Sequence, residues 1–320
     1  MFARRRWWGV GILGAQLADV ALGDPVRGHP VAGFGWCAAA LEKLTYRDSR
    51  AAGALHTGVL LGGLALGGTL VQHRTRGPLL AVGIATATWA ALGGTTLSRT
   101  GDRLADLLAA GDIDGARDLL PSLCGRDPSA LDVDGLARAA LESVAENTSD
   151  AHVAPLLWAA AAGVPGVLVY RGVNTLDAMI GHRSPRYNRF GWAAARLDDA
   201  ANYVAARVSG ALVVICAPLI GGSPLGALRA WRRDAARHPS PNAGVVEATF
   251  AGALGVRLGG PTQYRHQLEI RPTLGDGGVP GIDDLRRAVR LSQTVQAAAA
   301  VVAIGLTAVG RSDRRVCPRR

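Results

Sequence analysis

The sequence predicts an all-α, polytopic integral membrane protein: a helical bundle with amphipathic helices and polar loops at the membrane face. Three observations predict it. Hydrophobic residues make up 49% of the 320-residue chain and charged residues only 19%, against roughly 25% in soluble domains. Several uncharged apolar runs approach the roughly 17–25 residues that a helix needs to cross a bilayer. Glycine is abundant, at 42 residues, and small residues let helices approach closely in lipid. The mean hydropathy of +0.18 agrees. An alanine-rich soluble chain reaches similar values, so the length of the uncharged runs decides.

The N-terminus carries the basic patch Arg4 to Arg6, then an apolar run from Gly9 to Leu22. A signal peptide has this outline. Asp19 falls inside the run, however, and no clear small-residue cleavage site precedes Gly23, so the segment is read as part of the mature protein. Residues 7–41 are expected to form one more span or a re-entrant pair, broken by GDPVRGHP. Five spans are clearer, at 55–71, 78–97, 151–170, 204–220 and 295–309. His152, Pro155 and Pro165 interrupt the third, and Arg207 lies near the start of the fourth. All belong to a single expected domain covering 1–320.

Polar segments separate the spans. RLADLLAAGDIDGARDLL carries Leu104, Leu107 and Leu108 as an apolar stripe, which predicts an amphipathic, water-facing helix followed by a turn and a short helix. Asp114 is the expected N-cap of that short helix. PTLGDGGVPGIDD reads as a surface loop. Arginine-dense stretches at 183–196, 229–237 and the C-terminal tail assign the larger loops, and the polar site with them, to the cytoplasmic side of the cell membrane.

The net charge is +10. Its arginines cluster beside apolar runs, which fits membrane flanks better than a nucleic-acid surface. Aromatic platforms between basic residues are missing, which argues against single-stranded nucleic acid. Four scattered cysteines form no CxxC pair, so neither a zinc knuckle nor a redox dithiol is signalled. No GxxxxGK[ST], GxSxG or HExxH occurs, and the GxG clusters lie in apolar helices.

Four polar constellations remain. LADVALGDPVRGHPV brings Asp19, Asp24 and His29 to non-helical backbone beside an apolar segment, tolerated in lipid only where protein or water covers it; an ordinary loop is the alternative. ESVAENTSDAHVAPLLW places Glu142, Glu146 and Asp150 four apart, on one helix face, with Asn147 and Ser149 nearby. A solvated stripe would be the ordinary reading. At a hydrocarbon boundary, though, carboxylates are costly unless paired or metal-bound, and Mg²⁺ takes one or two carboxylates while sharing phosphate oxygens. Glu146 and Asp150 are the candidate metal ligands. Tyr170 to Arg207 interleaves Arg171, Asn174, Asp177, Arg183, Arg186, Arg196, Asp198, Asp199 and Asn202. That density of acids, amides and arginines suits carboxylate or phosphate binding. HPSPNAGVVEATFAGALGVRLGGPTQY offers Ser240 or Asn242 as a helix cap and sets Glu247 on the helix that follows.

In this order the four constellations resemble the CobD/CbiB family, membrane-bound cobinamide-phosphate synthases of cobalamin biosynthesis. The likeness rests on DxxxGDPxxxHP from Asp19 to Pro30, ESVAENTSDAHVAPLLW, RGVNTLDAMIGHRSPRYNRFGWAAARLDDAANYVAAR and PSPNAGVVEATFAGALGVRLGGPTQY. It covers about Leu13 to Tyr264. The terminal span and tail carry no motif, and His152 takes no role by transfer. The resemblance implies amide-bond formation between aminopropanol, or its phosphate, and the free propionate of cobyric acid. A carboxylate is a poor electrophile, so the chemistry implies activation, most simply as an acyl phosphate from ATP, with Mg²⁺. On this reading Glu142, Glu146 and Asp150 hold metal or amine. Asp177, Asp198 and Asp199 form a second carboxylate set with one member as general base. Arg171, Arg183 and Arg196 bind phosphate or propionate. Asn147, Asn174, Asn202 and Asn242 orient groups, and Asp24, His29, Ser240 and Glu247 complete the substrate contacts. The constellations are expected to line one polar chamber. Expected partners are the corrinoid, the amine, the bilayer and other enzymes of the pathway, with no nucleic acid. A transporter for a corrinoid or metal, or a non-catalytic scaffold, are the rival readings; a transporter needs its polar groups at mid-span.

Overall fold

The computed structural model describes residues 2–24, 28–182, 184–263 and 268–309. In chain order these form α1 (Phe2–Leu22), α2 (Pro30–Thr45), α3 (Arg50–Arg74), α4 (Pro78–Trp89), α5 (Gly94–Ala109) and α6 (Ile113–Leu119). Then come α7 (Val133–Thr148), α8 (Ala154–Leu176), α9 (Tyr187–Phe190), α10 (Trp192–Cys216), α11 (Pro224–Asp234) and α12 (Ala243–Leu254). A hairpin of β1 (Leu258–Gln263) and β2 (Leu268–Leu274) precedes α13 (Ile282–Val309). This two-stranded antiparallel hairpin is the one departure from all-α among the described residues.

Five helical stretches are long and apolar enough to cross a membrane: Arg50–Arg74, Pro78–Ala109, Val133–Gly181, Trp192–Ile220 and Ile282–Ala308. Each contains most or all of one expected span. The chain is a multi-pass membrane protein. On α3, Leu55, Val59, Leu66 and Leu70 are all exposed, as apolar side chains facing lipid would be. The N-terminal stretch forms two helices, α1 and α2, and neither is among the five.

The described chain falls into two compact units. One comprises the described residues of Met1–Leu92, Ala154–Ala201 and Ala299–Arg320; the other comprises Gly93–Val153 and Asn202–Ala298. In the first, α1 packs on α4 and α3 packs on α8. A small core of Ala38, Leu176, Ile180, Phe190 and Ala194 closes the region around α9. The expected interruption of the third span by proline is present and has a remedy. Gly163 adopts φ 68°, a left-handed conformation that kinks α8 two residues before Pro165. The Val164 N–H, left without its helical acceptor, donates to Gln72 Oε1 of α3 at 2.9 Å.

In the second unit, α5 buries Leu104 and Leu108 of the expected stripe, with Ala105 beside them, while Leu107 is only half-buried. Val144 of α7, Val246 and Phe250 of α12, and Leu285 and Val289 of α13 are also fully enclosed. Two local expectations are corrected. The expected continuous helix over 78–97 breaks between α4 and α5, at 90–93. The Gly93 N–H donates to Ala151 O at 2.9 Å instead of continuing a helix. Gly94 then sits where a Cβ would meet the His152 ring. The short helix α6 is capped by Asp112, not Asp114: Asp112 Oδ1 accepts from Gly115 N at 2.9 Å. Asp114 lies in the first turn of α6 and pairs with Arg117 at 3.1 Å.

Candidate functional site

The sequence-derived candidates divide between the two units. The second unit holds Glu142, Glu146, Asn147, Asp150, Asn202, Ser240, Asn242 and Glu247. The first holds Asp24, His29, Arg171, Asn174, Asp177, Arg196, Asp198 and Asp199. Arg183 lies outside the described residues.

Glu142 anchors the second unit's cluster. Its carboxylate is 2% exposed and fully partnered. Oε2 accepts from Arg126 Nη2, and Oε1 accepts from the Gly259 N–H at 2.8 Å. That N–H is available because the β1–β2 register shifts between Leu258 and Gly260, a bulge that takes one residue out of the ladder. Gly259 has φ +80°, and a Cβ there would run into Pro272 O. Arg138, one turn before Glu142 on α7, grips the same hairpin. It donates to Gly259 O at 2.8 Å and to Pro261 O at 3.0 Å.

Glu247 is built differently. It is 1% exposed, and among the described residues neither carboxylate oxygen has a hydrogen-bond donor. Its nearest cations stand off, with His238 Nε2 at 3.8 Å and Arg271 Nη1 at 3.9 Å from Oε1. Burial, and then the charges of Glu142 and Glu146, push the Glu247 carboxyl well above the usual carboxylate range; Arg271 and Arg126 pull it back only in part. His238 is buried too, and burial holds its ring below the usual histidine value. Ser240 N–H donates to His238 Nδ1 at 3.0 Å. Nδ1 also lies 3.2 Å from Ser240 O, so it accepts from the N–H or donates to the carbonyl according to the tautomer, while Nε2 is the ring nitrogen nearer Glu247. Among the described residues, the charges that act on Glu247 are those of Glu142 and Glu146, which oppose its ionisation, and of Arg271 and Arg126, which favour it.

Asp150 sits past the end of α7 in the π-helical turn Ser149–Val153. Asn147 bonds back to Ser143 O at 3.0 Å, and Asn202 is fully buried on α10. Ser240 does the capping expected of the SPNAG turn: its hydroxyl accepts from Asn242 N at 3.3 Å and Ala243 N at 3.2 Å. Asn242 instead accepts from Arg207 Nη1 at 2.7 Å. Among the described residues no group of three or more His, Cys, Asp or Glu is arranged to hold a metal. The donors present fit a cation that needs one or two carboxylates and completes its shell from ligand and water, as Mg²⁺ does. The unbonded Glu247 oxygens are the observation behind that fit.

The first unit joins its candidates in a looser chain. Arg171 Nη1 donates to Asn174 Oδ1 at 3.3 Å, and Asn174 Nδ2 to Asp198 Oδ1 at 3.5 Å, linking α8 to α10. His29 caps α2, its Nδ1 accepting from Val31 N at 3.1 Å. Burial lowers the His29 ring below its usual value, with Asp24 raising it and Arg171 lowering it further, so these three groups are electrostatic neighbours. Asp177 opens the π-helical turn Asp177–Gly181. Its Oδ1 occupies the place a Gly181 Cβ would take. Arg196 and Asp199 form an i,i+3 pair at 3.6 Å on the exposed side of α10.

Sequence reasoning missed Arg126, Arg138, His238 and Arg271. Arg138 sits one turn before Glu142 on α7 itself, whereas Arg126 comes from the segment before α7, Arg271 from β2 and His238 from the turn before α12. The run of apolar residues around Glu247 was the one available signal, since a glutamate on a helix with almost no polar face must be buried.

The family model described as CobD/Cbib protein matches residues 12–292. A Mycobacterium tuberculosis protein named Cobalamin biosynthesis protein CobD is 67% identical over 297 residues, covering 93% of this chain and 95% of the relative. Proteins of the same name from Geobacter metallireducens and Rhodobacter capsulatus are each 41% identical. The first alignment covers 84% of this chain and 86% of the relative; the second covers 91% and 94%. No solved structure matches. A family model over most of the length, together with relatives this similar over nearly their full extent, establishes that the chain belongs to the CobD/CbiB family.

Proposed function

We propose that this chain is a membrane-bound enzyme of cobalamin biosynthesis that joins aminopropanol, or its phosphate, to the free propionate of cobyric acid through an amide bond. Support comes from the names of its relatives and from one observation. Glu247 is a buried carboxyl whose two oxygens have no hydrogen-bond partner among the described residues, in a cluster with Glu142 and Glu146. An ammonium group is a third cation that would satisfy both oxygens. The amine docks there as its ammonium form, gives a proton to Glu247 and attacks the activated carbonyl carbon. The C–N bond forms as the C–O bond to the activating group breaks; that group leaves with the former carboxylate oxygen and takes up the second proton of the amine. His238, buried 3.8 Å from Glu247, is the neighbouring ring that flanks the docked amine.

ATP and Mg²⁺ would supply activation of the propionate and neutralise the charge that develops on phosphate and carbonyl oxygens. Arg171, with Arg183 and Arg196, is assigned to propionate or phosphate, and Asn174 to orienting Asp198. Glu146 and Asp150 are assigned to the metal. The site faces the cytoplasm from the plasma membrane, where other enzymes of the pathway can hand over the corrinoid.

The test is an amide-formation assay on purified membranes supplied with cobyric acid, either amine, ATP and Mg²⁺. Cobinamide or cobinamide phosphate is the expected product. No product, together with corrinoid accumulation in sealed vesicles, would replace the enzyme by a transporter.

A further inference from the structure

A cavity of about 640 Å³ in the second unit is used by nothing described so far. Its wall includes Arg207, Trp231, Arg232, His238, Pro239 and Pro241. No aspartate or glutamate lines it. Its size lies within the range of small-ligand sites.

Arg207 belongs to the membrane-crossing stretch Trp192–Ile220. A guanidinium in such a segment is costly unless something there uses it. The structure fixes its position without giving it a carboxylate. Nη1 donates to Asn242 Oδ1 at 2.7 Å and to Tyr203 O at 3.1 Å, and the group stacks 3.6 Å from the Tyr203 ring centre. The Nε and Nη2 donors have no partner among the described residues. Arg232, exposed on α11, makes no ion pair among them either. Val245, in the first turn of α12, adds an apolar side chain to the same wall. Two guanidiniums, one pre-oriented by stacking and by a side-chain amide, make the fork that binds phosphate oxygens in pairs.

We propose that this cavity is a phosphate-binding site, for which Arg207 and Arg232 are the ligands and Trp231 the apolar wall. Its chemistry suits the phosphate of a small organic ester or of a phospholipid headgroup. The site stands on its own geometry and does not depend on the amide-forming reading.

The experiment measures binding of inorganic phosphate by the full-length protein in nanodiscs of neutral lipid, then repeats it in nanodiscs containing anionic phospholipid. Saturable binding that weakens about tenfold or more in Arg207→Gln/Arg232→Gln is expected. Arg103→Gln, exposed on α5 and no part of the cavity wall, leaves it unchanged. Loss of soluble phosphate binding in the anionic nanodiscs, restored by the double substitution only as non-saturable background, assigns the site to a lipid headgroup. Binding that is equal in both nanodiscs assigns it to a free phosphate ester. No saturable binding in either, or wild-type affinity in the double variant, overturns the proposal. If Arg207→Gln does not fold, Arg232→Gln alone carries the test, because its side chain is exposed.

Discussion

The two units hold the same kinds of residue and use them in opposite ways. In the second, Glu142 is sealed between Arg126 and the Gly259 N–H, while Glu247, in the same cluster, is sealed with nothing bonded to it. In the first, Arg171, Asn174 and Asp198 are only half-buried, and their bonds of 3.3 and 3.5 Å lie at the long end of the range. A carboxylate tied on both oxygens holds structure together. One buried without a bond is held in readiness, since its desolvation is uncompensated until a ligand arrives. Long bonds at a half-buried site leave groups free to shorten onto a substrate.

The largest effect that would break this contrast comes from Arg126→Ala. It leaves Glu142 buried without its ion pair, and removing one partner of such a pair costs about 3–5 kcal/mol. Loss of folded, detergent-extractable protein is the expected result; normal yield and melting would show that Glu142 is not structural. Glu247→Gln keeps the shape and removes the proton acceptor. Activity should fall about 10²–10⁴-fold while the protein stays folded, and full activity would remove Glu247 from the chemistry.

The same variant tests the protonation of Glu247. Its folded carboxyl is raised above the unfolded value, so its stabilising contribution is complete below the ordinary carboxylate range. That contribution is lost as pH rises through the raised folded value. Wild-type melting should therefore fall as pH rises above the ordinary carboxylate range, and Glu247→Gln should flatten that slope. An unchanged slope would point to another group. In the first unit, Asp198→Asn should lower amide formation about tenfold or more with melting nearly unaltered. A smaller effect still is expected of Arg196→Ala. Its exposed pair with Asp199 contributes only a few tenths of a kcal/mol, so thermal melting should not move; a clear shift would give that pair a structural role.

The spans were legible because lipid demands long uncharged runs, and residues 55–71 or 295–309 can hardly be anything else. The family was legible because four polar blocks occur in one order. Glu142 and Glu146 were visible as a helical stripe, but which of the acids is bonded and which bare was not. That depends on Arg126, sixteen residues before Glu142, and on Gly259, 117 residues after it. The hairpin that delivers Gly259 has glycine and proline where strands prefer branched side chains, so nothing local announced it. The break at 90–93 was hidden for a related reason: Gly93–Gly94 adds no charge to the apolar run, and only tertiary partners show that the helix stops there.

The kink in α8 bears on how the protein is made. The Val164 N–H is satisfied by a side chain 92 residues earlier in the chain. During synthesis α3 therefore enters the bilayer first, with its Gln72 amide waiting for the bent helix. A chain lacking that amide would have to deliver an unpaired N–H into hydrocarbon. Gln72→Leu, more apolar and better suited to lipid by itself, should for that reason impair membrane insertion of the protein.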